Sequence, residues 1–358
     1  MNPADKAVLR LAIGLGAAVL VAYGLGIGAP FVSCLLTVLI LCKPGPPIPL
    51  VKGMVLAVLV GGVLAAGLLM VPLLEHYAMT GVVLTAALLY VVYLLGARRG
   101  SPMTVILVIA STAIPVVGVA DQGLAAGLAR AMAVGLAVGI TVNGIWHALF
   151  PDPTRSAGPA ATAAAVSPAA ARRAALQATL VIMPVYVLAL SNPAHFFPAL
   201  VKGSALGQQA HSTAARSAGS ELVGSTIAGA LMAAVVWAGL SLWPSLWMLM
   251  LWMMAAAFWS GSRLFRVRET RRPPSFWSNA LVTMLILLGP AIEDSAVGKD
   301  VLMGSLTRTT LFIGIAIYAW AVVLAVERWA ARGLAAPSTG IAAHGEEGYR
   351  QERTRTPA

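Results

Sequence analysis

The sequence predicts an all-α membrane protein of about twelve transmembrane helices, built as two parallel six-helix repeats. Of its 358 residues, 59% are hydrophobic and only 10% are charged, and the mean hydropathy is +0.85. A soluble domain carries about 25% charged residues. The composition therefore excludes a soluble enzyme, a disordered chain and a disulfide scaffold, and no enzymatic activity is expected. The other two observations are the placement of the cations and a similarity between the two halves.

Hydropathy and helix breakers divide the chain into apolar segments that are long enough to enter lipid. The second segment is short, and the eighth contains Pro198, Lys202 and Gly207, so either could re-enter the membrane from one side instead of crossing it. The twelve segments are residues 7–28, 29–42, 50–74, 78–97, 101–119, 122–149, 170–190, 194–212, 217–240, 245–265, 275–292 and 300–330.

The positions of lysine and arginine favour twelve crossings. With the N-terminus inside, twenty of the 24 cations lie on the cytoplasmic side and only Lys299 lies outside. Without crossings by segments two and eight, four cations would move outside, against the positive-inside rule; they are Lys43, Lys52, Arg98 and Arg99. We therefore predict that both termini are cytoplasmic. The net charge of +11 then fixes orientation, and no nucleic-acid partner is expected.

The two halves resemble each other in the order of their motifs. Asn2-Pro3 and Ser167-Pro168 each predict a helix start. Further matches are Phe31 with Phe196, Gly62 with Gly229, Pro115 with Pro290, and Arg130 with Arg308. Because six is an even number, both halves point the same way, which predicts a pseudo-twofold axis along the membrane normal. The repeats are residues 1–151 and 170–332, joined by a small-residue linker at 152–169 and followed by a disordered cytoplasmic tail at 333–358.

Several common functional motifs are missing from the sequence. It contains no G-x-x-x-x-G-K-[ST] nucleotide loop, and its five histidines have no metal-ligand spacing. Cys34 and Cys42 share one apolar segment, so they do not form a disulfide framework. We expect neither a cofactor nor a metal, and an energy source that is an ion gradient or a partner. The Gly135-x-x-x-Gly139 and Gly203-x-x-x-Gly207 pairs predict close helix packing.

Three cations lie inside predicted spans and form the candidate site. Arg130 and Arg308 follow the outer loops by eight or nine residues, a depth of about 12–13 Å, and Lys202 lies about 12 Å deep. The sequence places no acid at that depth. A charge within a span is a functional candidate by default, although each could instead snorkel to the interface. We predict an anion-attracting site between the halves, to which the eighth segment adds Gln208.

Glu221 is the candidate for coupling transport to a gradient. It lies at the cytoplasmic end of the ninth segment, close to Arg216. At such a position a carboxylate is more often a solvated end charge than a proton carrier.

The segments ELVGSTIAGA (residues 221–230) and RAMAVGLAVGITVNGIWHALFP (residues 130–151) carry a family resemblance. Over about residues 5–332 the chain resembles the fusaric acid resistance protein-like superfamily, in its short form without a large cytoplasmic domain. The chain departs from the family pattern at Glu221, where the motif has an arginine. The resemblance implies a bacterial inner-membrane exporter of aromatic or other organic acids that works with a periplasmic adaptor protein. The plant malate channels are more distantly similar.

Three other functions remain open from the sequence. A passive anion channel is physically close to an exporter. A major-facilitator transporter also has twelve spans, but the loop KPGPPIPLVK lacks the acidic and arginine-rich signature of that family. A non-transporting membrane assembly protein would tolerate replacement of the three intramembrane cations.

Overall fold

The computed structural model describes residues 2–42, 49–99, 103–151, 167–210, 215–296, 298 and 300–334. Within these ranges the regular structure is entirely helical and contains no strand. A 3-10 turn, Gly67–Met70, joins α3 to α4. The helices are α1 Pro3–Gly24, α2 Pro30–Leu41, α3 Leu50–Ala66, α4 Val71–His76, α5 Ala78–Arg99, α6 Met103–Ala120, α7 Gln122–Leu149, α8 Pro168–Ser191, α9 Pro193–Ala210, α10 Ala215–Leu242, α11 Leu246–Leu264, α12 Pro274–Ala296 and α13 Val301–Leu334.

The predicted starts of α1 and α8 are confirmed. Each helix has proline in its first turn, where the missing N–H has no intrahelical partner to lose. Before α8, the Ser167 hydroxyl accepts a hydrogen bond from the Ala170 N–H at 3.3 Å. Before α1, the Asn2 N–H donates to the Asp5 carboxylate at 3.3 Å. These bonds satisfy backbone and side-chain groups that a helix end leaves open.

Eight helical segments among the described residues are long and apolar enough to cross a membrane. The chain is therefore an all-helical, multi-pass membrane protein. The other predicted spans, α2, α6, α9 and α11, are also helical but are shorter or less apolar. At 12 residues, α2 extends only about 18 Å. The eight segments are Pro3–Gly24, Leu50–His76, Ala78–Arg98, Gln122–Leu149, Pro168–Ser191, Glu221–Leu242, Pro274–Ala296 and Val301–Trp329.

Helices from the two halves pack against each other extensively. α1 lies along α11, and α8 lies along α5. Within the halves, α2 packs on α7 and α9 on α13, while α3 packs on α6 and α10 on α12. The short helices also reach across, α2 to α12 and α9 to α6. The apolar core is continuous through both halves, so the bundle is one packed unit.

The first predicted glycine pair packs closely, as expected. A Cβ atom on Gly135 of α7 would lie 2.8 Å from the Cα of Ser33 on α2, and one on Gly139 would lie 3.2 Å from the Cα of Thr37. The second pair differs. A Cβ on Gly203 would lie 3.6 Å from Val185, which is ordinary van der Waals contact. The surroundings of residue 207 lie outside the described side chains.

One sequence match between the halves does not extend to packing. A Cβ on Gly229 would lie 2.5 Å from the Ala280 carbonyl oxygen, so α10 and α12 approach closely there. Gly62 is exposed, and a Cβ on it would meet nothing within 4 Å. Gly62 and Gly229 therefore match in sequence but differ in packing. The neighbouring Gly61 is more enclosed, because its Cβ would lie 3.1 Å from Ala133.

Candidate functional site

Polar side chains are buried together where α9, α10 and α12 meet. Lys202 of α9, Ser225 of α10 and Thr283 of α12 are fully buried, and Asn279 of α12 is 2% exposed. These residues lie within an otherwise apolar core. Buried polar groups are costly unless they are hydrogen-bonded, so their mutual bonds decide whether the cluster is stable.

α10 and α12 contact each other through residues spaced four apart on each helix. Glu221 accepts a hydrogen bond from the Ser275 hydroxyl, and one turn further along both helices Asn279 donates to the Ser225 hydroxyl. One turn beyond that, Gly229 lies against α12. Residues four apart lie on the same face of a helix, so the spacing alone aligns these contacts into a ladder.

Lys202 is held by neutral groups of α12. Its Nζ donates to the Asn279 Oδ1 at 3.2 Å and to the Thr283 Oγ1 at 2.6 Å. An ammonium group has three N–H donors, so the third has no acceptor among the described residues. No carboxylate in the described part of the chain forms an ion pair with it. Within the described part of the chain, Lys202 is therefore a fully buried amine without a counter-charge.

The two partners of Lys202 are oriented by further hydrogen bonds. The Thr283 hydroxyl donates to the Asn279 carbonyl oxygen at 2.7 Å, which leaves its lone pairs for Lys202. Asn279 donates through its side-chain NH₂ to Ser225, so its Oδ1 points to the lysine. Both acceptors are thus fixed toward Nζ before any ligand binds.

The prediction that Glu221 is a solvated end charge is wrong. Glu221 is only 6% exposed, and its carboxylate accepts the hydrogen bond from Ser275. The close packing of α10 on α12 buries it because it lies on the same face as Ser225. The side chain of Arg216, its expected neighbour, lies outside the described residues.

Arg308 also differs from expectation, because an acid does lie at its depth. Its guanidinium forms an ion pair with Asp294 near the end of α12, and both side chains are 18% exposed. The Nη1 atom of Arg308 is buried without a hydrogen-bond partner in the described residues. The predicted eleventh span ends at residue 292, whereas α12 continues to Ala296. Asp294 therefore lies on the helix and not in the outer loop.

The three intramembrane cations do not come together. Arg130 is exposed on α7 and has no hydrogen bond or ion pair with described residues. Along α12, the Asp294 partner of Arg308 lies eleven residues beyond Thr283, the partner of Lys202. That separation is about 16 Å at 1.5 Å per residue. Gln208 lies in α9, but its side chain is outside the described residues. Of the three predicted cations, only Lys202 lies in the cluster.

Sequence reasoning missed the neutral members of the cluster. Ser275, Asn279 and Thr283 recur every four residues in the eleventh segment, and Glu221 and Ser225 do so in the ninth. Each hydroxyl or amide is unremarkable alone in an apolar helix. The shared spacing of two polar rows was the available signal, and the search for charged residues alone passed over it.

The cluster has no features of a metal centre, and a separate groove lies elsewhere. Among the described residues, no group of three His, Cys, Asp or Glu side chains could hold a metal ion. A groove of about 760 Å³ runs between α8, α9 and α13, lined mainly by apolar residues together with His195 and Thr310. Lys202 does not line it. The arrangement around Lys202 is suited to binding an anion, because no described carboxylate neutralises the charge of its ammonium group.

No family model, curated protein or solved structure matches the chain. The function is therefore argued from the geometry of the Lys202 cluster and from the sequence.

Proposed function

We propose that the protein is a carrier that exports organic anions, with Lys202 as the cation that binds the substrate. The observation that carries this proposal is the complete burial of Lys202, whose hydrogen-bond partners among the described residues are Asn279 and Thr283. Burying an unpaired ion costs several kcal/mol, whereas a hydrogen bond to a charged group returns about 1.5–3 kcal/mol. Two such bonds offset only part of that cost.

A bound carboxylate would supply the missing counter-charge. At an effective dielectric constant of about 20, an anion about 4 Å from the ammonium group gains roughly 4 kcal/mol. The third N–H of Lys202 is the donor available for this contact. The substrate class is therefore a small carboxylic acid, aromatic or aliphatic, whose charge balances that of the lysine.

Glu221 is the proposed coupling residue. It lies one helical turn from Ser225, which bonds to Asn279, the partner of Lys202. The cluster thus contains one acidic and one basic group in a shared hydrogen-bonded region. Protonation of Glu221 would change the net charge near the anion, and this change would couple the proton gradient to anion binding and release.

We propose twelve crossings and a two-repeat arrangement for the same chain. Support comes from the helix pairs that recur: α1 with α11 and α8 with α5, α2 with α7 and α9 with α13, and α2 with α12 and α9 with α6. The two members of each couple correspond when α3 and α4 are counted as one span and the spans of each half are numbered in order. Rocking of one half against the other would then expose Lys202 to alternate sides.

The cellular setting is part of the proposal. The excess of Lys and Arg on one side favours cytoplasmic termini in a bacterial inner membrane. The resemblance to the fusaric acid resistance protein-like superfamily favours a periplasmic adaptor as partner. Crosslinking in cells should capture such an adaptor, and full export in a strain that lacks every such adaptor would contradict this part.

The main test measures export by purified protein in proteoliposomes with labelled benzoate and malonate as probes. We expect Lys202→Met to reduce transport at least about tenfold, since it removes a contact of several kcal/mol. Lys202→Arg keeps the charge and should retain part of the activity. Lys52→Met is the matched control, because Lys52 is exposed on α3. Unchanged transport by a folded Lys202→Met protein would rule out this site.

A passive channel is distinguished by the driving force. The complete burial of Lys202, away from the groove of the structure, favours a carrier with an occluded site over an open pore. We expect counterflow of benzoate to be accelerated by a proton gradient, and this acceleration to be lost in Glu221→Gln. Equal rates with and without the gradient in the unmodified protein would favour the channel.

A further inference from the structure

Five arginines lie within ten residues where α11 ends and α12 begins. The same stretch contains one acid, Glu269. None of the five arginines forms an ion pair within the described part of the chain. We call residues 263–272 the arginine turn; its arginines are Arg263, Arg266, Arg268, Arg271 and Arg272.

The arginine turn has a defined conformation. The Arg268 N–H donates to the Ser262 carbonyl oxygen at 2.8 Å, which closes the chain back onto the end of α11. Arg266 adopts a left-handed backbone conformation with φ of 58°, which is uncommon for a residue with a side chain. The cations are thus presented by a folded turn and not by an extended loop.

Aromatic residues hold one arginine in place. The Arg263 guanidinium lies 4.0 Å from the centre of the Trp259 ring and 5.1 Å from that of Trp277, and it donates to the Trp259 carbonyl oxygen at 2.9 Å. Stacking covers the face of a guanidinium, so the N–H groups of Arg263 that do not bond to Trp259 remain at its edge for an anion.

Apolar surface lies beside these cations. Trp259 is 41% exposed and Val267, at the tip of the turn, is 43% exposed. Tryptophan at a helix end is typical of the membrane–water interface, where headgroups lie. A site with both free guanidinium edges and exposed apolar surface fits an amphipathic anion better than a soluble one.

We propose that the arginine turn binds the headgroup of an anionic phospholipid. The phosphodiester accepts paired N–H bonds from the arginines, and the start of the acyl chains lies against Trp259 and Val267. Clusters of basic residues next to a transmembrane helix attract anionic lipid by this chemistry. The inference is independent of the transport proposal, because it does not involve Lys202.

The test titrates the purified full-length protein in neutral detergent with dibrominated phosphatidylglycerol, which quenches nearby tryptophan fluorescence. Dibrominated phosphatidylcholine is the neutral comparison. We expect saturable quenching by the anionic lipid, and an affinity lowered about 30-fold in the double variant Arg268→Gln with Arg271→Gln, from the usual contribution of each arginine. Both side chains are exposed in the turn and their loss should leave the fold intact.

A second double variant is the matched control. Arg172→Gln with Arg173→Gln removes two exposed arginines at the start of α8 and keeps the same net charge as the test variant. We expect it to bind the anionic lipid with unchanged affinity. An equal loss in both double variants, equal quenching by the neutral lipid, or displacement by millimolar inorganic phosphate would each overturn the proposal.

Discussion

Two buried threonines of the first half and the Lys202 cluster of the second half satisfy their hydroxyl groups in different ways. In the first half, Thr37 donates to the Ser33 carbonyl of its own helix at 2.8 Å, and Thr112 donates to the Val108 carbonyl at 2.7 Å. In the second half, the side chains of Ser225, Asn279 and Thr283 bond between helices and to Lys202.

This difference separates contacts that only pack two helices together from contacts that fix the register between them. A hydroxyl that bonds to its own helix makes no demand on its neighbours, so glycines and methyl groups alone determine how α2 meets α7. Side chains that bond across helices fix the register, because a shift leaves each partner unsatisfied. The Lys202 cluster therefore fixes the register of α9, α10 and α12, whereas α2 and α7 meet by close packing.

The largest effect is expected when a lysine is introduced in the first half. Thr37 precedes Lys202 by 165 positions, as Phe31 precedes Phe196. Thr37→Lys would bury an ammonium group that has no interhelical acceptor, at a cost of several kcal/mol. We expect almost no monodisperse protein by size-exclusion chromatography. Thr37→Val, the control of similar volume, should fold, and a stable Thr37→Lys protein would show that the two halves do not differ in this way.

The second-largest loss of stability is expected from Asn279→Leu. This change removes the amide that bridges Lys202 and Ser225, so it should destabilise the fold by about 3–5 kcal/mol, the usual cost of leaving a buried charge short of a partner. Thr112→Val in the first half removes a bond within one helix and should cost about 1 kcal/mol. Thermal unfolding in detergent compares them. Similar losses in both variants would remove the distinction.

The sequence predicted the helices well and the site only in part. Composition, cation placement and the proline caps depend on each residue and its near neighbours along the chain, so they were readable without a structure. Burial of Glu221 depends on which face of α10 meets α12, and the pair of Arg308 with Asp294 depends on where two helix ends meet.

The sequence singled out Lys202 as a candidate, but the structure does not bring Arg130 and Arg308 to it. A charge in an apolar segment is conspicuous, so Lys202 could be selected from sequence alone. Helix rise gives depth but not direction around the bundle, so Arg130 and Arg308 could be placed beside Lys202 only by assumption. The neutral partners, Asn279 and Thr283, carry no charge and gave no comparable signal.

A smaller effect is expected from alanine at the two glycines that the halves were thought to share. Gly229→Ala forces a Cβ to within 2.5 Å of the Ala280 carbonyl oxygen, which should destabilise the fold by about 1–3 kcal/mol. Gly62→Ala meets nothing and should be neutral or stabilise the helix by up to about 1 kcal/mol. The thermal midpoint of Gly229→Ala should fall, whereas that of Gly62→Ala should stay unchanged or rise. Equal destabilisation would contradict the open environment of Gly62.

The smallest effect is expected from the two arginines outside the cluster. Arg130→Gln replaces an exposed side chain, so stability should stay within about 0.5 kcal/mol of the unmodified protein. Arg308→Gln breaks the ion pair with Asp294, whose partly exposed position limits the loss to about 1 kcal/mol. Anion transport should persist in both variants. Loss of benzoate transport in Arg130→Gln would show that Arg130 takes part in anion binding.

The packing of α1 along α11 sets an order for biogenesis. A Cβ on Gly16 would lie 2.6 Å from the Met254 side chain, and those two residues are 238 positions apart in the chain. At about 5–20 residues per second, a ribosome takes about 10–50 s to make the intervening chain. During that interval α1 waits in the bilayer without its partner, while α8 on emerging finds α5 already made. The packing of the first half is thus complete only when the second half has been made, and α1 docks on α11 late in synthesis.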